Sequence, residues 1–192
     1  RDAQESRGLG DVYKRQASQT VGLVGLGHIG KMVAQRLVNL GVKVIAYDPF
    51  IDQEAVRSSG IDLTFVSLEA LFKHSDIVSL HMRVTPETEN LIDRKLLALM
   101  QPSAYLINTA RPDILVKADF IEVLKKRKIA GAAIDVVWEE PIAADDPLLG
   151  LDNLVITSHI AGDTVDAIPK SPLLLAKTVK DYLQTGVSEF IV

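Results

Sequence analysis

The stretch TVGLVGLGHIGKMVAQRLVNLGVKVIAYD, residues 20–48, decides the fold. Its first six residues form a compact apolar run closed by glycine, the pattern of a buried strand. Ile29, Met32, Val33, Leu37 and Leu40 then recur at helical spacing until Gly41 stops them. KVIAY, residues 43–47, is a second apolar run. Between the first strand and the helix stand Gly25, Gly27 and Gly30, a GxGxxG. Glycines cluster in ordinary turns too, but this motif directly follows a strand and opens a helix. Gly25 permits the tight turn, Gly27 has no side chain to block a pyrophosphate, and Gly30 lets helix and strand pack closely.

The first-turn amides, those of His28 and Ile29 among them, and the positive end of the helix dipole then face the phosphates. Asp48 ends the second strand, where an acidic side chain accepts hydrogen bonds from the adenosine ribose. Pro49, Phe50, Ile51 and Asp52 offer no cation to a 2′-phosphate. NAD is therefore the expected cofactor, in preference to NADP.

Outward from this unit the alternation continues. Residues 52–59 read as a short helix and 61–66 as a short strand. Ser67 caps a helix through His74, and DIVSLHM (76–82) is a fourth strand. Asp93 caps a helix to about Met100, with Pro102 beyond it. AYLINTA (104–110), GAAIDVV (131–137) and NLVITS (153–158) are further strands, with a helix over 117–127. Ser171 and Pro172 mark the N-cap and first position of a final helix that Gly186 ends. Strands alternating with helices give an α/β fold, a Rossmann-type doubly wound parallel sheet with helices on both faces.

Composition narrows the function classes. The chain has 192 residues, enough for one domain, and 47% are hydrophobic, enough for a substantial core. A net charge of −4 with no basic run argues against nucleic acid and anionic membrane as partners. There is no cysteine, so disulfides and thiolate metal sites are excluded, which suits a cytoplasmic protein. No apolar stretch reaches bilayer length, and no cluster has metal-ligand spacing. Ser6 to Gln16, SRGLGDVYKRQ, resembles the translation of a transposon-end sequencing adapter. Residues 1–16 are accordingly expected to be a library scar, with the organised domain running over 17–192.

Four segments together resemble the D-2-hydroxyacid dehydrogenases, a family that includes phosphoglycerate, glycerate and D-lactate dehydrogenases. They are GLGHIG at 25–30, HMRVTPETENLI at 81–92, LINTARPDILV at 106–116, and GAAIDVVWEEP at 131–141 followed by SHIAGDT at 158–164. The resemblance implies hydride transfer between a nicotinamide and a D-2-hydroxy or 2-keto acid. It implies that Arg111 binds the substrate, that His159 is the general acid–base, and that Glu140 is the acidic partner of His159. Guanidinium suits a carboxylate beside a carbonyl, and histidine titrates near neutrality. Asp135 matches an acid near the nicotinamide carboxamide, and Thr85 a residue in the loop over the cofactor. Thr109 and Ala110 lie on the nicotinamide side. His81 matches a structural histidine.

Pro112 departs from the family, which usually has a small residue after the arginine. It restricts Arg111 to extended backbone, which presets the guanidinium or shifts it. The family's substrate domain is built mostly from N-terminal sequence that residues 17–192 do not supply. This chain is thus expected to bind NAD with little turnover of its own, its final helix normally bridging to that domain. A homodimer is expected from the family. The leading alternative is a non-catalytic, NAD-sensing corepressor-like protein on the same scaffold. A formate dehydrogenase-like enzyme would pair its histidine with glutamine, and a different Rossmann enzyme would not predict Arg111, Glu140 and His159 in this order.

Overall fold

A computed structural model describes residues 18–165 and 167–187. The expectation for residues 1–16 lies outside the described residues. The chain divides into two compact units, one ending at Thr157 and the other beginning at Ser158.

The first unit is the alternating part. Its elements are β1 (Thr20–Val24), α1 (His28–Asn39), β2 (Lys43–Tyr47), α2 (Gln53–Ser58), β3 (Thr64–Phe65), α3 (Leu68–His74) and β4 (Ile77–Leu80). There follow α4 (Arg94–Leu97), β5 (Tyr105–Asn108), a 3-10 turn (Pro112–Ile114), α5 (Lys117–Lys125), β6 (Gly131–Ile134), a second 3-10 turn (Pro147–Gly150) and β7 (Leu154–Ile156). The strands form one parallel sheet in the order β3-β2-β1-β4-β5-β6-β7. The chain winds outward from β1 to β3, then returns to lay β4 on the other side of β1. That reversal is the crevice where doubly wound sheets take their ligands.

The two-residue period of the strands sorts side chains onto two faces. Val21 and Leu23 of β1 with Val44 and Ala46 of β2 join Ala34 of α1 and Val56 of α2. Val24 and Ile45 face the other way, with Leu71 and Phe72 of α3, Leu97 of α4 and Phe120 of α5. Helices therefore cover both faces, and the doubly wound expectation holds.

Caps set several boundaries as read from the sequence. The Asp52 carboxylate accepts from the amides of Glu54 and Ala55, and the Ser67 hydroxyl from that of Ala70. Several expected bounds shift: β6 ends at Ile134 rather than Val137, and β7 covers only Leu154–Ile156 of 153–158. Asp93 does cap α4, but the α-helix ends at Leu97 rather than near Met100. Leu99 and Met100 bond to carbonyls three residues back, Leu96 and Leu97, so the chain tightens into turns before Pro102. The expected strand over 61–66 pairs only at Thr64 and Phe65, as suits a short sheet edge.

The second unit holds α6 (Ala167–Thr185). It starts at Ala167, not at Pro172, which lies inside it. At the sixth helical position Pro172 lies past the four amides that have no intrahelical partner, so it costs the helix one bond. Sequence alone could not say whether Pro172 opened the helix or was carried within it. Gly186 ends it with φ 70°, its amide on Tyr182 O at 2.8 Å.

Candidate functional site

Strand register fixes what stands at the carboxyl edge of the sheet. Tyr47, Val24, Leu80, Asn108, Ile134 and Ile156 pair in one row from β2 to β7. The next residue in each strand is Asp48, Gly25, His81, Thr109, Asp135 and Thr157. Four of the expected site residues are thus neighbours along one edge.

The glycine loop occupies the edge beyond β1. Gly25 has φ 94°, and its amide donates to Tyr47 O at 2.8 Å. A β-carbon on Gly30 would lie 2.3 Å from the carbonyl oxygen of Gly25, so only glycine lets α1 start this close to β1. Gly27 is the opposite case: a β-carbon there would meet nothing within 4 Å. It is exposed, and its carbonyl accepts the first helical bond of α1, from Lys31 at 3.0 Å. The amides of His28, Ile29 and Gly30 precede that bond, at the positive end of a 12-residue helix. His28 and Ile29 are exposed beside Gly27. An open, side-chain-free backbone at a helix start fits a pyrophosphate.

Asp48 does more than expected. Its Oδ2 accepts from Leu26 N at 2.8 Å and its Oδ1 from Phe50 N at 3.0 Å. Each carboxylate oxygen can accept about two bonds, so both keep capacity for ribose hydroxyls. The nearest arginine along the chain, Arg57, pairs with Glu54 at 3.4 Å and covers the Phe65 ring at 5.9 Å.

Beyond β4, the half-buried His81 shares a 3.0 Å hydrogen bond with the Ser79 hydroxyl through Nε2. Burial lowers its pKa below the ordinary value, which favours the neutral ring. This suits the structural role expected of it. Thr85 follows in a loop closed by Thr88, whose hydroxyl accepts from Thr85 N at 2.7 Å. The Thr85 side chain and the backbone amide of Glu87 hold the exposed Glu87 carboxyl below its usual range.

The turn after β5 carries Thr109, Ala110 and Arg111. Arg111 is extended, at φ −147° and ψ 143°, and Pro112 opens the 3-10 turn behind it. The extended backbone is the one that a following proline imposes. The Arg111 guanidinium is exposed and donates from Nη1 to Ala110 O at 2.7 Å. Sequence reading missed the residue that holds this turn. Asn108 is fully buried; its Nδ2 donates to Arg111 O at 2.8 Å and its Oδ1 accepts from Ala110 N at 3.0 Å. The available signal was an amide ending an apolar run, which must find partners once buried.

Asp135 is buried at 4% exposure, accepts from the Thr157 hydroxyl, and donates its amide to Asn108 O at 3.0 Å. It therefore ties together the ends of β5, β6 and β7. Past it, Trp138 packs on Phe120 at 6.1 Å between ring centres, and Lys117 Nζ lies 5.7 Å from the Trp138 ring. Lys117 also reaches Asp146 at 2.6 Å. One lysine at the start of α5 thus holds both ends of the segment on which the exposed Glu140 sits.

Arg111 and Glu140 belong to the first unit, and His159 to the second. His159 is exposed and has φ 57°, a left-handed backbone that costs a non-glycine residue roughly 1–2 kcal/mol. Residues held this way gather at functional sites.

Comparison with known proteins shows the family to which the chain belongs. Residues 3–161 match the model of the D-isomer specific 2-hydroxyacid dehydrogenase, NAD binding domain. The D-3-phosphoglycerate dehydrogenase of Methanocaldococcus jannaschii is 37% identical over 174 residues, 91% of this chain and 33% of that protein. The glyoxylate reductase of Thermofilum pendens is 40% identical over 162 residues, 84% of this chain and 47% of that protein. The NAD-complexed D-isomer specific 2-hydroxyacid dehydrogenase of Lactobacillus delbrueckii ssp. bulgaricus superposes with a TM-score of 0.81 at 35% identity, covering 92% of this chain and 57% of that one. The chain spans about a third to a half of the length of these curated relatives.

Proposed function

This chain belongs to the D-isomer specific 2-hydroxyacid dehydrogenase family, matching its NAD-binding domain, and from that premise we propose that it is the cofactor half of an enzyme interconverting D-2-hydroxy acids and 2-keto acids. When bound, NAD supplies the two-electron chemistry, giving or taking a hydride at the substrate's second carbon. Gly25, Gly27, Gly30 and the amides of His28 and Ile29 bind the pyrophosphate, and Asp48 binds the adenosine ribose. Thr85, Thr109, Ala110 and Asp135 line the nicotinamide side. The carboxylate of Asp48 and the lack of a cation in residues 49–52 favour NAD over NADP.

Arg111 pairs with the substrate carboxylate and polarises the adjacent carbonyl. His159 gives a proton to the carbonyl oxygen in reduction and takes it back in oxidation. Glu140 is the acidic partner of His159. The observation that carries this reading is the turn after β5. It presents an exposed guanidinium on a preset, extended backbone at the sheet edge where the glycine loop stands.

The test is oxidation of NADH with a panel of 2-keto acids, such as glyoxylate, hydroxypyruvate and pyruvate, by the intact enzyme carrying this chain. Turnover lost in Arg111→Ala and His159→Ala supports the reading. Intact NAD binding with no turnover of any keto acid would favour the NAD-sensing alternative. Residues 17–192 alone should bind NAD and turn over little, because substrate contacts would come from elsewhere. The reading extends to a cytoplasmic homodimer: the chain has no cysteine, and Leu99 and Tyr105 leave apolar surface exposed for a second copy. Sedimentation tests the dimer.

A further inference from the structure

The carboxylate that the ribose assignment needs is also the one that holds the pyrophosphate loop. Two consecutive amides of that loop bond to the end of β2 and the residue after it: Gly25 N to Tyr47 O at 2.8 Å, and Leu26 N to Asp48 Oδ2 at 2.8 Å. The Leu26 side chain is fully buried between β1, β2 and α1. Its amide therefore has no ready access to water and depends on Asp48 as acceptor. The other oxygen of Asp48 is fixed by Phe50 N at 3.0 Å, so the carboxylate is oriented from both sides before any ligand arrives. Gly27, the open position at the start of α1, is the next residue after Leu26.

We infer that Asp48 is a positioning residue for the pyrophosphate cradle as well as the ribose acceptor, so that both ends of the adenosine diphosphate moiety depend on it. The inference rests on the NAD assignment and goes beyond it. A ribose acceptor alone would matter only to ligands bearing the ribose hydroxyls. A loop brace matters to any ligand whose phosphates use Gly27, whatever its sugar. A substitution at 48 meant to admit NADP should then weaken binding of both dinucleotides.

The test compares NAD with its analogue lacking the 2′ and 3′ hydroxyls of the adenosine ribose. Calorimetry on the 192-residue chain measures both, with amide hydrogen exchange of the ligand-free protein in parallel. Asp48→Ala should weaken the dideoxy analogue by about tenfold, the effect of losing one charge-assisted bond to a buried amide. It should also speed exchange at Leu26 by a similar factor. Asp48→Asn keeps a carbonyl acceptor for Leu26; it should leave exchange and analogue binding near wild type while still weakening NAD. An Asp48→Ala protein that binds the analogue as tightly as wild type, or exchanges Leu26 no faster, overturns the brace and leaves the ribose role standing. Should Asp48→Ala fail to fold, Asp48→Asn decides: rapid Leu26 exchange with NAD affinity unchanged contradicts the inference. If wild-type chain binds NAD and analogue equally, the ribose assignment itself is wrong, a separate failure.

Discussion

Gly27 and Gly30 should respond in opposite ways when each receives a methyl group. In Gly30→Ala the new carbon would sit 2.3 Å from the carbonyl oxygen of Gly25, where ordinary contact needs about 3.5 Å. The start of α1 and the loop must part by roughly 1 Å. Overpacking of this kind costs about 1–3 kcal/mol, and alanine's better helix propensity returns at most about 1 kcal/mol. Because the clash is with backbone that cannot swing aside, the cost lies toward the upper end and the net loss is about 2 kcal/mol, a fall in Tm of roughly 4–8 °C for a chain this long. NAD affinity should fall with it, because the displaced atoms are those of the cradle. In Gly27→Ala nothing lies within 4 Å of the new carbon, and the backbone, at φ −62° and ψ −166°, accepts alanine. Losing glycine as N-cap costs about 0.5–1 kcal/mol, and reducing the freedom of the unfolded chain returns about 0.4–1 kcal/mol. Stability should therefore stay within about 0.5 kcal/mol of wild type, while the methyl fills the approach to the phosphates and NAD binding drops at least about tenfold. Urea denaturation and calorimetry on both variants are the assays. Wild-type NAD affinity in Gly27→Ala, or wild-type stability in Gly30→Ala, would refute the reasoning.

Other expectations follow from single contacts. His159→Ala in the intact enzyme should cut turnover by roughly 10²-fold or more, the usual contribution of general acid–base catalysis; an unchanged rate removes His159 from the mechanism. Asn108→Leu keeps the size of a buried side chain but strips Ala110 N and Arg111 O of their partners, so it should cost about 1–3 kcal/mol in denaturation and raise KM for the keto acid more than Kd for NAD. Lys117→Met leaves Asp146, whose side chain is 6% exposed, without its cation, at a cost of about 1–3 kcal/mol seen as a lower urea midpoint. His81 has a depressed pKa when folded and 6.5 as its ordinary value, so the unfolded chain binds the proton more readily. Stability should be complete above pH 6.5 and fall as pH drops below it, and His81→Gln should flatten that slope.

The sequence carried the sheet because its strands are buried on both faces and read as unbroken apolar runs, with KVIAY matching β2 residue for residue. It carried four edge positions for the same reason, since Gly25, Asp48, Thr109 and Asp135 each follow directly on such a run. What it could not carry were contacts between distant segments. Leu26 N and Asp48, and Lys117 and Asp146, meet only through sheet register or helix packing. Helix ends were legible where a side-chain cap marks them, as at Asp52, Ser67 and Asp93. They were not where prolines sit within the helix, as at Pro172, or where turns of 3-10 type continue an α-helix, as after Leu97.

The central claim, that a dinucleotide lies across the carboxyl edge from the glycine loop to the arginine turn, is tested most directly by titrating the isotope-labelled chain with NAD and following its amide spectrum. The shifts should concentrate at Gly25–Gly30, Asp48, Thr109–Arg111 and Asp135. Saturable binding that moves none of these amides, or no binding at millimolar NAD, would contradict that claim.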